Sequence, residues 1–185
     1  PVGAQMAMAR RDHIGPQACA ALTETGAPCV LIELAANPRA ALAEPVMLRM
    51  LERAGGEGRL REALLQRIDT GARVRLRLVE IVADALTVFL DATGWLPPER
   101  TRRVLRDAQE RAVVHIGAEP EIAAQGAASA ALTLVRHLRA REQLTTGLIL
   151  RSLLCGDKLM LAAAISELAG HPLERVRRHM NHPEG

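Results

Sequence analysis

The chain has 185 residues, of which 49% are apolar and 24% are charged, and its only aromatic residues are Phe89 and Trp95. This composition excludes a largely disordered chain. Its wealth of Ala and Leu favours helices, because strands prefer the aromatic and β-branched side chains that are scarce here. The net charge of +3 gives little electrostatic attraction to a nucleic-acid backbone, and no apolar run reaches the roughly 18 residues of a membrane-spanning helix.

Proline and glycine divide the first part of the chain into short segments, and nearly every segment has a helical period. Residues 1–15 show no clear period and are predicted to be a loose N-terminal arm. A short helix is expected to begin at Pro16. Pro28 fits the first turn of the next helix, which the pair Asn37-Pro38 ends.

The middle of the chain is predicted to contain two short helices, at 43–54 and 58–68, and then two long ones. The first long helix, at 74–93, carries a wide apolar stripe that we expect to be well buried. The stripe consists of Leu78, Val79, Val82, Ala85, Leu86, Phe89 and Leu90. Gly94 is expected to stop this helix, and Pro97-Pro98 to begin the second long one.

The last third of the chain has the clearest signals. A helix rich in Ala and Leu is expected to begin at Glu119-Pro120 and to end near residue 141. Thr145 and Thr146 can cap the following helix, and Gly156-Asp157 closes it and caps the next. Gly170 is expected to end that helix, and a final one runs from 172 to 180.

Helices joined by tight turns, with no strand signal, predict an all-α fold of antiparallel helical hairpins. We expect residues 16–185 to form a single domain of this kind. Three cysteines, Cys19, Cys29 and Cys155, form no C-x-x-C pair, which indicates reduced thiols in a cytoplasmic protein.

Motifs that carry catalysis are missing from the sequence. It has no H-E-x-x-H, no Gly-rich phosphate loop and no G-x-S-x-G. We therefore expect no catalytic residues, no cofactor and no resident metal. An enzyme with an unfamiliar site stays open, with Glu80, Asp84 and Asp91 along one long helix as its candidate acids.

The histidines near the C-terminus offer an alternative. His179 and His182 are three residues apart and His171 lies nearby, and one helical turn can place two imidazoles on one ion. However, no Cys or acid stands at ligand spacing, and the helix is expected to fray before His182. A solvated chain end is therefore the favoured interpretation.

A sharper candidate is the segment 165–180, ISELAGHPLERVRRHM. It has the pattern of a helix, an Ala-Gly turn and a second helix, with an apolar residue, Val176, placed to lock the second helix as in DNA-binding helix-turn-helix motifs. Arg175, Arg177 and Arg178 would then face phosphates or guanine edges. Pro172 counts against this function, because it stands where a recognition helix offers short polar side chains.

Four stretches together resemble a known bacterial family, the domain of unknown function 2336 family, over roughly residues 28–180. The stretches are LREALLQR (60–67), GWLPPERTRRVLRDAQERA (94–112), LVRHLRAREQLTTGLILRSLLCGDK (134–158) and ISELAGHPLERVRR (165–178). The resemblance implies HEAT-like helical repeats curved into a short α-α superhelix. Its motifs are structural and transfer no functional residue.

The function expected from such a stack is a non-enzymatic protein-interaction or regulatory module, since helical repeats present concave surfaces to other proteins. Its partner is expected to be another protein, and neither a membrane nor, in this interpretation, nucleic acid. DNA binding through residues 165–180 is the alternative.

Overall fold

The computed structural model describes residues 1–118 and 127–181, and within these residues it is entirely helical apart from turns and loops. The one extended pairing in these ranges is an isolated parallel bridge between Ile14 and Ala40. The prediction of an all-α fold is therefore confirmed. The helices are α1 (Val2–Ala9), α2 (Pro16–Thr25), α3 (Pro28–Ala36), α4 (Glu44–Ala54), α5 (Gly58–Leu65), α6 (Ala72–Thr93), α7 (Pro98–Ala118), α8 (Ala127–Ala140), α9 (Thr146–Leu154), α10 (Lys158–Ala169) and α11 (Leu173–Asn181).

The helices belong to two compact units, Pro1–Asp84 and Ala85–Gly185. The boundary lies inside the continuous helix α6, so the expectation of one domain over 16–185 stays a prediction, as does the HEAT-like superhelix. The predicted helix start at Glu119-Pro120 lies outside the described residues. None of the helices in the described ranges combines the length and the apolar character needed to cross a bilayer.

The first unit is built around α3, which packs against α1, α4 and α5. Proline in the first turn starts α2, α3 and α4, where its missing N–H costs no hydrogen bond. One continuous cluster of buried side chains fills the unit. Its largest fully buried members are Leu31, Leu34, Met47, Met50, Leu60 and Leu64.

A buried arginine fastens the loop after α3 to this core. Arg67 donates hydrogen bonds to the carbonyl oxygens of Asn37 (2.6 Å) and Ala40 (3.0 Å), and it forms a two-pronged ion pair with Asp69. Its guanidinium therefore satisfies backbone acceptors that would otherwise be buried without a partner.

Residues 1–15 differ from the loose arm that the sequence led us to expect, because they contain helix α1. Ala9 is fully buried at its end, and α1 packs against α3. The Asn37 side-chain amide donates to the carbonyl oxygens of Ala9 (3.0 Å) and Arg11 (2.8 Å). Arg10 also forms a two-pronged ion pair with Glu33. These contacts are long-range, and a local apolar period cannot reveal them.

The second unit is built around α10, which packs against α8, α9 and α11. Residues 160–164 of α10 are all buried, since their side chains are small or flexible enough for three neighbours to approach. The predicted caps are confirmed. The Thr145 hydroxyl accepts from the Leu148 N–H at 3.1 Å, and the Asp157 carboxylate accepts from the Met160 N–H at 2.9 Å.

Candidate functional site

The turn between α10 and α11 is held by Ser166. The backbone N–H groups of Gly170 and His171 both donate to the Ser166 carbonyl oxygen, and the Ser166 hydroxyl donates to the His171 carbonyl oxygen at 2.6 Å. Gly170 has φ +67°, in the left-handed region that favours glycine, as expected of a residue that ends a helix. The direction in which α11 leaves the turn is therefore fixed by hydrogen bonds.

Helix α11 buries one side and exposes the other. Leu173 and Val176 are buried, so the apolar residue that the sequence singled out does face inward. Arg175 and Arg178 are exposed, one helical turn apart, and neither has an ion pair with any described residue. Arg177 lies further round the helix and pairs with Glu174 at 3.0 Å. The structure thus groups two of the three predicted arginines, which we call the arginine face.

A shallow cavity of about 450 Å³ lies beside the arginine face. It is lined by Ile165, His171, Arg175, Val176, His179 and Met180. The His179 ring nitrogen Nδ1 lies 2.9 Å from the Arg175 carbonyl oxygen, within its own helix. Across the described ranges no three His, Cys, Asp or Glu side chains come together in a group able to hold a metal ion, and His182 lies outside those ranges.

The three acids considered for an unfamiliar enzyme site do not share one environment. Glu80 is buried and accepts from Arg77 at 2.9 Å, whereas Asp84 and Asp91 are exposed. A buried ion-paired carboxylate and two solvated ones do not form a site in which acids act on one substrate.

The prediction that the apolar stripe of α6 is well buried was wrong for its second half. Of its members, Leu78 is buried and Val79 and Leu90 are half-buried, but the others are exposed: Val82, Ala85, Leu86 and Phe89. The stripe shows which side of the helix is apolar, and it carries no information on whether another element covers that side.

The exposed apolar side chains continue beyond α6 into the turn and α7. Gly94 has φ +63°, and the chain then brings Trp95 against Phe89, with ring centroids 5.8 Å apart in an edge-to-face arrangement. Trp95 is 73% exposed and Phe89 51%. Leu86 lies one helical turn before Phe89 on the same side of α6, and we call Leu86, Phe89 and Trp95 the aromatic surface.

The charges that precede and follow Trp95 in the sequence are separated by sign along the chain. Residues 85–98 carry one acid, Asp91, and no Lys or Arg, whereas residues 100–106 carry four Arg and no acid. Arg102 pairs with Glu99 at 3.1 Å. No described residue forms an ion pair with Asp91 or with the exposed Arg100, Arg103 and Arg106.

Sequence reasoning missed this surface. Its strongest available signal was that the only two aromatic residues of the chain stand six positions apart, on either side of a helix-ending glycine. Because a turn lies at the surface, this spacing could have pointed to the exposure of both rings.

Comparison with known proteins gives one match. A family model described as an uncharacterised protein conserved in bacteria (DUF2336) matches residues 2–185. No curated protein and no solved structure matches the chain.

Proposed function

We propose, from the premise that the chain belongs to the DUF2336 family of uncharacterised bacterial proteins, that it is a non-enzymatic interaction or regulatory module that binds a protein partner. The observation that carries this proposal is the aromatic surface. The free energy available there comes from removing large apolar side chains from water on binding.

The composition of the aromatic surface is that of an interface centre. Trp and Arg are enriched among the residues that dominate binding energies, and Lys is depleted at interfaces. Trp95 and Phe89 bring large rigid side chains that lose little rotamer entropy on binding. Arg100 and Arg103 are exposed in the first two turns of α7, shortly after Trp95, and we expect their charge to affect specificity and association rate.

A cytoplasmic location is part of the proposal. All three cysteines are free, Cys29 and Cys155 are exposed, and unpaired exposed thiols persist best in a reducing compartment.

Site-specific photo-cross-linking tests the proposed function. A benzophenone side chain in place of Phe89 should trap a discrete protein adduct in cells, because the reactive group then lies inside the interface. The matched control carries the same group in place of Ile68, which is 86% exposed in the first unit. Identical adducts at both positions, or none at position 89, would contradict the proposal.

DNA binding remains the second candidate, and the arginine face supports it. Arg175 and Arg178 have no competing carboxylate in the part of the chain that is described, and the buried Leu173 and Val176 hold their helix in place. Two guanidinium groups one turn apart can reach phosphates or base edges.

Fluorescence anisotropy of a labelled DNA duplex, titrated with salt, tests this candidate. Replacing Arg175 and Arg178 with Ala should weaken binding and reduce the salt slope by about one for each lost phosphate contact. The control replaces Arg11 and Arg59, which are exposed in the first unit. If adding the protein at low salt left the anisotropy of the duplex unchanged, DNA binding would be excluded.

A further inference from the structure

We propose that the cavity between α10 and α11 is a binding site for a small amphipathic carboxylate, a molecule with one carboxylate group and a short alkyl or aryl chain. The proposal goes beyond the interaction function and uses no residue of the aromatic surface. It is carried by the size and apolar walls of the cavity, by an arginine that pairs with no described carboxylate, and by hydrogen bonds that hold the walls in place.

The size and walls of the cavity suit a small organic molecule. Its volume of about 450 Å³ lies in the range of ligand-binding pockets, which are mostly apolar with a few polar groups. Both helices supply apolar side chains, Ile165 from α10 and Val176 and Met180 from α11. Methionine is flexible and polarizable, so Met180 can adapt to chains of different shape. The cavity therefore offers an alkyl or aryl chain a place away from water.

The cavity has a positive charge that no described residue neutralises. Arg175 lines it, and no carboxylate of the described residues does. The only acids in residues 165–181 are engaged elsewhere: Glu167 pairs with arginines of α8, and Glu174 pairs with Arg177. The guanidinium of Arg175 is therefore open to an anion from outside the chain.

A single guanidinium favours a carboxylate over a phosphate. Arg175 is the one Arg or Lys among the described residues that line the cavity. Its planar group presents two parallel N–H groups to the two oxygens of a carboxylate, and the pair balances charge for charge. A phosphate monoester carries about 1.5 to 2 negative charges at neutral pH, so it would leave negative charge unbalanced beside the apolar walls.

Hydrogen bonds hold the polar part of the cavity in place before a ligand arrives. The His171 backbone donates to the Ser166 carbonyl oxygen and accepts from the Ser166 hydroxyl. The His179 ring is oriented by its contact of 2.9 Å with the Arg175 carbonyl oxygen, to which Nδ1 donates because a carbonyl only accepts. Walls that are already ordered lose little conformational entropy on binding.

Octanoate is the probe for this site, and the methyl group of Met180 is the reporter. In a methyl spectrum of the purified full chain with isotope-labelled methionine, Met180→Leu identifies the Met180 signal among those of the six methionines. Octanoate should shift that signal until the site is saturated. The signal of Met50, which is fully buried in the first unit, should not move.

Two further compounds separate the carboxylate from the chain. Octanol has the chain without the charge, and acetate has the charge without the chain. Each should bind at least about tenfold more weakly than octanoate, because each lacks one of the two contacts that the cavity offers. Octyl phosphate should also bind more weakly than octanoate.

The arginine has a matched control on its own helix. Arg175→Gln should weaken octanoate binding by about tenfold, since it removes a charge-assisted pair of hydrogen bonds. Arg178 is equally exposed and unpaired among the described residues, but it does not line the cavity. Arg178→Gln should therefore leave octanoate binding unchanged, whereas DNA binding through the arginine face would depend on both residues.

A cavity-filling variant tests the place of binding independently. Ile165→Trp should abolish the saturable shift of the Met180 signal, because the larger side chain occupies the cavity. Leu168 lies on the same helix and is more exposed, but it does not line the cavity. Leu168→Trp should bind octanoate as the wild type does.

The outcomes separate this proposal from the interaction function. The proposal is overturned if octanoate gives no saturable shift below the concentration at which it forms micelles. It is also overturned if octanol or octyl phosphate binds as tightly as octanoate, or if Arg178→Gln weakens binding as much as Arg175→Gln. Cross-linking at position 89 probes a different surface, so either result can fail while the other stands.

Discussion

In the first unit, residues 1–84, the apolar side chains form one buried cluster, whereas the second unit leaves many large apolar side chains in solvent. The exposed ones among the described residues of the first unit are Val2, Met8, Leu65, Ile68 and Val82. Those of the second are Leu86, Val88, Phe89, Trp95, Val104, Leu150, Leu153, Leu154, Ile165 and Leu168. Where such side chains lie together, as Phe89 and Trp95 do, they favour an interaction surface. The difference indicates that the first unit is stabilised by its own core, and it supports the proposal that the second unit binds a partner.

A matched pair of leucine substitutions gives the largest effect and tests this contrast directly. Leu34 is fully buried in the first unit, and Leu154 is 85% exposed in the second. Leu34→Ala should lower the free energy of unfolding by about 4 kcal/mol, since it removes buried methyl groups and leaves a cavity. Leu154→Ala should change it by less than about 0.5 kcal/mol.

Urea denaturation followed by circular dichroism measures both variants. A loss above about 2 kcal/mol for Leu154→Ala would mean that this side chain is covered in solution. The contrast between a covered first unit and an exposed second unit would then not hold for α9.

The difference between the units also shows what could be predicted from the sequence. Caps and turns depend on near neighbours, so Thr145, Asp157 and Gly170 were placed correctly by residue type and position. Burial depends on which elements come together. For that reason the exposed half of α6, with Phe89, was predicted wrongly, and helix α1 was missed.

The candidate sites also include one part that could be predicted from local sequence and one that could not. Arg175 and Arg178 could be predicted because an exposed helix face follows from local period, and the burial of Val176 beside them follows from the same period. The contact between Phe89 and Trp95 could not, because it depends on the path of the chain through Gly94.

The second prediction compares two arginines that tie helices and loops together. The Arg67 side chain is only 5% exposed, and its loss leaves buried carbonyl oxygens in the first unit without a donor. Arg67→Ala should therefore cost about 3 kcal/mol. Arg151 of α9 is more exposed and pairs with Asp107 of α7, so Arg151→Ala should cost about 1 kcal/mol.

Thermal unfolding of the two arginine variants provides the measurement. Arg67→Lys serves as the control, since a single ammonium cannot reproduce the fork that reaches the carbonyls and Asp69 together. If Arg67→Lys matched the wild type, charge rather than the geometry of the fork would be what holds this loop.

The third prediction concerns a glycine turn in each unit. A Cβ at Gly26 would lie 2.5 Å from the Leu22 carbonyl oxygen. A Cβ at Gly170 would meet nothing within 4 Å, so a side chain there destabilises the fold only because φ is +67°. Asn tolerates the left-handed region better than Ala does. Gly170→Asn should thus be milder than Gly170→Ala, which should cost about 1 kcal/mol. At Gly26 both substitutions should cost about 2 kcal/mol, because space is limiting there.

The denaturation midpoints of these four variants test whether backbone conformation explains Gly170 and lack of space explains Gly26. Equal losses for Asn and Ala at Gly170 would argue against backbone conformation as the reason for that glycine. If Gly26→Ala left the free energy of unfolding unchanged, the backbone between α2 and α3 could shift to make room for the Cβ at little cost.

The smallest effect concerns two ion pairs that join helices within the first unit. The hydrogen bond from Arg10 holds the pKa of Glu33 below its ordinary value, and Arg49 does the same to the pKa of Glu24. A carboxylate whose pKa is lower in the folded chain contributes stability above its unfolded pKa and loses it as the pH falls through the folded pKa.

The free energy of unfolding measured in urea should therefore decline on acidification below about pH 4.5. The Glu33→Gln variant should be less stable than the wild type at neutral pH and should approach it in acid. Because the Glu33 side chain is 33% exposed and that of Glu24 is 54% exposed, solvent screens these pairs and keeps the gap small. A gap between Glu33→Gln and the wild type that stayed constant across this pH range would mean that the Arg10–Glu33 pair does not help to hold α1 on α3.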